Sequence, residues 1–195
     1  MKIYGKNLIL GSKSPRRQQL LKDLGIPFSI KTLDTDESFP EDLDKSLVAG
    51  FLAKKKAMAL QVLLDEHDLL ITADTTVIVN ECILNKPADE EQARAMLEQI
   101  QGRSHKVVTA VCITEGSHTT VFSDTTQVSF SALDSTEISH YIQSSRPFDK
   151  AGAYGIQDWI GLIGIESING SYYTVMGLPI HRLYAHLKSN FSIEY

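Results

Sequence analysis

Cysteine is scarce: Cys82 and Cys112 are the only two in 195 residues, with no CxxC pair and no histidine beside either. Neither a disulfide framework nor a thiolate zinc site is thereby indicated, and both thiols are expected to be buried structural residues. No apolar run approaches the roughly 18 residues of a membrane span, and no charged-then-apolar leader opens the chain. A soluble protein that meets no membrane and stays in the cytoplasm is the expectation. The GxxxxGK[ST] phosphate loop, HExxH and GxSxG are all missing, so P-loop, metalloprotease and α/β-hydrolase chemistry lack support. Of the six histidines, His181 and His186 stand five apart on the last helical segment and share no face well, so they are expected to be structural or exposed. Positive charge is in deficit, with 19 Lys and Arg against 24 Asp and Glu, a net charge of −5. Such a field repels nucleic acid, and no basic stripe with interleaved aromatics offsets it, so an anionic ligand must be held by a local cluster of cations.

What is present is a globular composition, 43% apolar and 22% charged, in a chain of one-domain length. A globule of this size buries roughly 70% of its unfolded surface. Residues 7–11 form a strand candidate. Ser14 then caps a helix with Pro15 at its first position, Leu20, Leu21 and Leu24 on its apolar face, and Gly25 at its end. Phe28 to Leu33 alternates as a strand, the acidic loop "LDTDESFPEDLD" follows, and a helix is predicted from about Leu47 to Leu64. "LLITADTTVIVNECIL" reads as two strand segments, with Asp74 interrupting the apolar run. Asp89 with Gln92 and Asp134 with Glu137 offer two capping boxes. "KVVTAVCIT" and Thr119 to Phe130 read as paired strands, Asn169 and Gly170 as a hairpin turn, and Pro179 as the opening of a final helix carrying Ile180, Leu183 and Leu187. Helices interspersed with hairpins predict an α/β fold with a mixed sheet.

The chemistry concentrates in a few places. "LILGSKSPRRQQLL", residues 8–21, surrounds a helix start with Ser12, Lys13, Ser14, Arg16 and Arg17. Free amides and the helix dipole favour an anion there, and forked guanidinium groups add phosphate affinity. A solvated helix end is the plain alternative. Asp74 follows "LLITA", and a carboxylate ending an apolar strand needs a cation, a donor or a water to deprotonate. Asp34, Asp36 and Glu37 supply further acidic groups able to share a hard metal ion with it, since Mg²⁺ is usually held by one or two carboxylates plus substrate phosphates. "AKKKA" puts Lys54, Lys55 and Lys56 on the long helix. At about 100° per residue, an apolar stripe through Val48, Phe51, Leu52, Ala59 and Val62 is centred on Lys55, with Lys56 toward one edge, so periodicity alone selects no functional lysine. Lys86 precedes Pro87 in the loop after the hairpin, on an extended backbone suited to aiming its ammonium into a cleft; an ordinary surface-loop lysine is the plain alternative. In "DKAGAYGIQ", small residues around Tyr154 permit close approach to a flat ligand, and Gln157 can read donor and acceptor edges together.

Taken together, "SKSPRR", "ADTTV", "NKP", "GRSHKVVTAV", "DKAGAYGIQ" and "NGSYYTVMGLP" resemble the Maf family of nucleoside triphosphate pyrophosphatases, in one continuous order from near residue 7 to near residue 187. Within the family, "SPRR", "ADT" and "AYGIQ" resemble the branch acting on dTTP and UTP. The resemblance implies a single Maf-like domain over residues 1–195, with an elongated mixed sheet flanked by helices in two lobes around a central cleft, similar to inosine triphosphatases, and usually a homodimer. It implies hydrolysis between the α and β phosphates with a divalent cation, Mg²⁺ or Mn²⁺. Asp74 then matches the general base, Arg16, Lys56 and Lys86 match the phosphate-contacting cations beside Ser12 and Ser14, and Arg17, Thr75 and Gln157 match positions linked to pyrimidine choice. Glu37 and Asp74 match the metal positions. The resemblance selects Lys56 where the helical stripe favours Lys55. Asp158 and Trp159 follow Gln157 where the family often has glycine. The family's association with septum formation implies an alternative, a nucleotide-binding regulator of cell division without turnover.

Overall fold

The computed structural model describes all 195 residues, and the chain divides into two compact units: Met1–Asp74, Thr109–Asp124 and Gly177–Tyr195 form the first, and Thr75–Val108 with Thr125–Met176 the second. In chain order the elements begin with β1 (Lys2–Ile3), β2 (Asn7–Leu10), α1 (Pro15–Asp23), β3 (Phe28–Ile30), α2 (Val48–Leu60), β4 (Asp68–Val79) and β5 (Cys82–Leu84). They continue with α3 (Glu90–Ile100), β6 (Ser104–Glu115), β7 (His118–Phe130), α4 (Ser135–Ser145), α5 (Trp159–Gly164), β8 (Ile165–Asn169), α6 (Tyr172–Met176), α7 (Ile180–Asn190) and β9 (Ile193–Glu194). The main sheet has the order β3-β2-β4-β6-β7-β8, with β5 also on β4. It is mixed, as the sequence predicts: β2 runs parallel to β3 and β4, whereas β5 and β8 pair antiparallel with β4 and β7. The strands β4, β6 and β7 contribute residues to both units.

In the first unit, Leu69, Leu70 and Ile71 of β4 are fully buried, as a central parallel strand covered on both faces requires. The capped helix α1 forms as predicted. Ser14 Oγ accepts the Arg17 N–H at 3.5 Å, Pro15 holds the first position, and Gly25 takes the left-handed conformation just past the end. Helix α2 departs from the expected stripe. Its buried residues are Val48, Ala49, Leu52, Ala53, Ala57 and Leu60, whereas Phe51 and Val62 are exposed. Small alanines let the helix pack closely, and Lys56, three or four residues from Leu52, Ala53 and Leu60, lies on the axis of the true stripe. Lys55 lies about 100° to one side.

The second unit has its own core, in which Val77, Leu97, Ile100, Val107, Phe130, Tyr141, Tyr154 and Ile160 take part. Asp134 and Glu137 form the full reciprocal capping box of α4. Asp89 caps α3, but Gln92 reaches one residue further back, to the Ala88 N–H at 3.1 Å. Three expectations fail here. Asp74 does not end its strand, because β4 runs from Asp68 through it to Val79, and the two strand segments read in this stretch are β4 and β5. Asn169 and Gly170 turn no hairpin. The backbone N–H and C=O of Ser171 are both bonded to the Thr126 hydroxyl, at 2.9 and 3.1 Å, and the chain enters α6 instead of a second strand. Cys82 is exposed on its short strand, while Cys112 is buried as expected.

Candidate functional site

The connection from β2 to β3 runs through α1 to one side of β2, and the connection from β3 to β4 runs through α2 back to the other. The chain therefore reverses its winding between β2 and β4, and the carboxyl ends of parallel strands at such a reversal form a ligand crevice. Register sets the carboxyl end of β2 beside the stretch of β4 that leads to Asp74: Leu10 stands opposite Ile71, and the Gly11 N–H extends the ladder to the Ile71 carbonyl at 2.8 Å. Gly11 is required there, since a Cβ would lie 2.6 Å from both Leu60 Cδ1 and Thr72 Cγ2. The turn Ser12–Ser14 and the carboxylate of Asp74 thus emerge from neighbouring strands.

Asp74 is buried, and its carboxylate accepts a hydrogen bond from the Lys56 ammonium. The same ammonium donates to Glu37 at 2.8 Å. Helix α2 fixes this lysine, because Thr72, two residues before Asp74, donates its hydroxyl to the Ala53 carbonyl at 2.7 Å. The acidic loop is laced down by lysines on both sides. Lys13 binds Asp34 at 2.6 Å, and Lys55 binds Asp36 at 2.9 Å and the Ser38 carbonyl at 3.0 Å. The Ser38 hydroxyl and then Lys55 pull the Asp36 carboxyl down to about 2. Lys55 thus anchors the loop that delivers Glu37, while Lys56 meets the two acids.

Arg17 occupies a different position from that of an open anion ligand. Its Nε donates to the Gly177 carbonyl at 2.7 Å, and Nη1 donates to the Ala73 carbonyl at 2.9 Å and the Ser12 hydroxyl at 3.4 Å. Burial lowers its pKa, opposed by the negative charges of Asp74 and Glu37, while neighbouring Arg16 lowers it further. Arg17 therefore ties the turn, the residue preceding Asp74 and the segment before α7 into one frame. Ser12 belongs to that frame, accepting also the Ser14 N–H at 3.2 Å. Arg16 lies beside Arg17 in the first turn of α1 and is half-buried.

The remaining residues singled out in the sequence belong to the second unit. Thr75 is half-buried, and Lys86 and Gln157 are exposed. The loops bearing the last two are joined by the Gly152 N–H, which donates to the Asn85 carbonyl at 3.1 Å. Gly152 takes φ +69°, with Val77 3.0 Å from where a Cβ would stand. Sequence reasoning missed the lysine lacing of the acidic loop and two buried hydroxyl contacts. Tyr154 Oη meets His105 Nε2 at 2.8 Å, and Tyr141 Oη meets Asp158 Oδ2 at 2.7 Å. Neither pair has a local sequence signal, since the partners lie 49 and 17 residues apart.

Asp74 and Glu37 are also the donors available to a metal. No group of three His, Cys, Asp or Glu side chains is gathered anywhere in the structure. Two carboxylates already drawn to one cation fit Mg²⁺ or Mn²⁺, which fill their remaining positions with substrate phosphates and water. A softer metal needing an all-protein cage does not fit.

A switch-point turn of serines and arginines beside two lysine-bound carboxylates defines an α/β protein suited to a phosphorylated ligand. The chain matches the model of the Maf-like protein family over residues 7–190 and belongs to that family. It is 46% identical over 182 residues to a dTTP/UTP pyrophosphatase of Bacteroides fragilis (strain YCH46), covering 93% of this chain and 94% of that one. It is 48% identical over 184 residues to a dTTP/UTP pyrophosphatase of Porphyromonas gingivalis (strain ATCC BAA-308 / W83), covering 93% and 92%. Among solved structures it is similar to the Staphylococcus aureus Ham1 protein, with a TM-score of 0.46 and 15% identity over 64% of this chain and 72% of that one.

Proposed function

We propose that this chain hydrolyses dTTP and UTP to the nucleoside monophosphate and pyrophosphate, clearing excess or modified pyrimidine nucleotides from the pool. The observation that carries this reading is the Lys56 ammonium held between Asp74 and Glu37 at the switch point, in a chain 46% identical to a protein named dTTP/UTP pyrophosphatase. A triphosphate repels a hydroxide-like nucleophile, so fixed cations must neutralise its charge and orient the α-phosphorus for in-line attack. We assign that task to Arg16, Lys56 and Lys86, with Ser12 and Ser14 shaping the turn. Asp74 takes one proton from a water molecule. The water oxygen bonds to the α-phosphorus, and the bridging oxygen leaves with pyrophosphate, carrying the electron pair of the broken bond. Thr75 and Gln157 are assigned to the pyrimidine, with Arg17 framing the turn. A divalent cation held by Asp74 and Glu37 would supply charge neutralisation on the phosphates. The protein is proposed to work in the cytoplasm as a homodimer; no helix is long and apolar enough to cross a membrane.

Pyrophosphate release from a panel of triphosphates, with Mg²⁺ or Mn²⁺ and after chelation, tests the proposal. Turnover of dTTP and UTP above purine triphosphates, abolished by chelation and restored by metal, is expected. Tight nucleotide binding without pyrophosphate release in any metal would favour the non-catalytic regulator instead.

A further inference from the structure

The segment leading to Gln157 is anchored by a single buried phenol. Tyr141 is fully buried on α4, and its Oη accepts the Gly155 N–H at 3.1 Å while donating to Asp158 Oδ2 at 2.7 Å. These directions are fixed by chemistry: an ionised carboxylate can only accept, and an amide N–H can only donate, so the one phenolic hydrogen goes to Asp158. Burial first, and the bond to Asp158 next, hold the phenol's pKa above its ordinary value, which keeps that hydrogen in place. Gln157 lies between the two bonded residues and is exposed. The same Asp158 oxygen is 3.5 Å from Lys150 Nζ, so both ends of the stretch from 150 to 158 meet at one carboxylate. The carboxylate also fills the space over Gly155, where a Cβ would lie 2.5 Å from Oδ2.

We infer that Tyr141 and Asp158 are positioning residues that fix the backbone on both sides of Gln157 and thereby set nucleobase selectivity. The inference rests on the pyrimidine triphosphatase reading above and deepens it. A glutamine discriminates bases only if its amide is held in place, because its side chain alone rotates freely. Removing the hydroxyl leaves the Gly155 N–H and the Asp158 carboxylate short of a partner, and the loop relaxes.

The test compares kcat and KM for dTTP and GTP in the wild type, Tyr141→Phe, Asp158→Ala and Asp158→Asn, with a thermal melt for each. Tyr141→Phe and Asp158→Ala are expected to lower the dTTP-to-GTP ratio of kcat/KM roughly tenfold through a raised KM for dTTP, with kcat little changed. Asp158→Asn, whose amide oxygen still accepts the phenolic hydrogen, should recover most of the ratio. Should Tyr141→Phe fail to fold, the two Asp158 variants carry the comparison. An unchanged ratio in folded Tyr141→Phe or Asp158→Ala overturns the inference, as does a loss confined to kcat. If the wild type releases no pyrophosphate, the enzymatic reading fails on its own. The same tenfold change is then read from equilibrium binding of dTTP and GTP, and its absence overturns the positioning role independently.

Discussion

Lys56 donates a hydrogen bond to Asp74, a contact that sets it apart from the two lysines before it. Its neighbour Lys55 points to Asp36 and Ser38 instead. The carboxylate proposed as the base and the ammonium proposed to meet phosphate are therefore in direct contact. In the proposed reaction, that ammonium lies where negative charge is to be neutralised, directly beside the acid that is to take the proton.

The two lysines should separate cleanly in kinetics. Lys56→Gln is expected to lower kcat/KM for dTTP by about 10²-fold or more, the scale of losing a charge-stabilising donor. Lys55→Gln should cost less than about tenfold, because it loosens the acidic loop without removing a group that meets Asp74. Equal losses in both variants would contradict the distinction.

Arg17→Lys is expected to destabilise the fold. Lysine cannot reproduce the fork that binds the Gly177 and Ala73 carbonyls together. Losing those bonds should cost about 2 kcal/mol in urea unfolding, and activity on dTTP and GTP should fall in similar proportion. A variant of native stability with altered base preference would instead make Arg17 a direct reader of the base.

His105 makes stability depend on pH. Burial pushes its pKa down to about 4, its Nε2 pairs with Tyr154, and its buried Nδ1 has no hydrogen-bond partner. The unfolded chain binds the proton near 6.5, the folded chain only near 4, so stability falls as pH drops through that interval. The loss amounts to roughly 3 kcal/mol and is complete below about pH 4. Chemical unfolding at a series of pH values should show this slope in the wild type, and His105→Gln, though less stable at neutral pH, should show a flatter one.

Much of the architecture could be read from the chain because its local signals agree with its tertiary structure. Ser14, Pro15 and Gly25 bracket α1, and Asp134 with Glu137 opens α4 with both reciprocal bonds. The helices α5 and α6 were not legible, being five or six residues long and, in α5, interrupted by glycine. Asn169 and Gly170 carried a strong turn signal, yet the Thr126 hydroxyl claims the backbone that a returning strand would need. In the site, Asp74 stood out because a carboxylate in an apolar strand needs a partner. The choice of Lys56 did not stand out, because α2 buries Ala49, Ala53 and Ala57 and leaves Phe51 and Met58 exposed. A stripe drawn through the largest side chains therefore points about one residue away from the buried face.

The most direct test of the account is pyrophosphate release from dTTP by Asp74→Asn protein, measured beside a thermal melt and nucleotide binding. Asparagine keeps the shape and can still contact Lys56 but cannot take a proton from water, so turnover should fall by about 10³-fold or more while folding and binding persist. Wild-type turnover in that folded variant would contradict the assignment of Asp74 as the base.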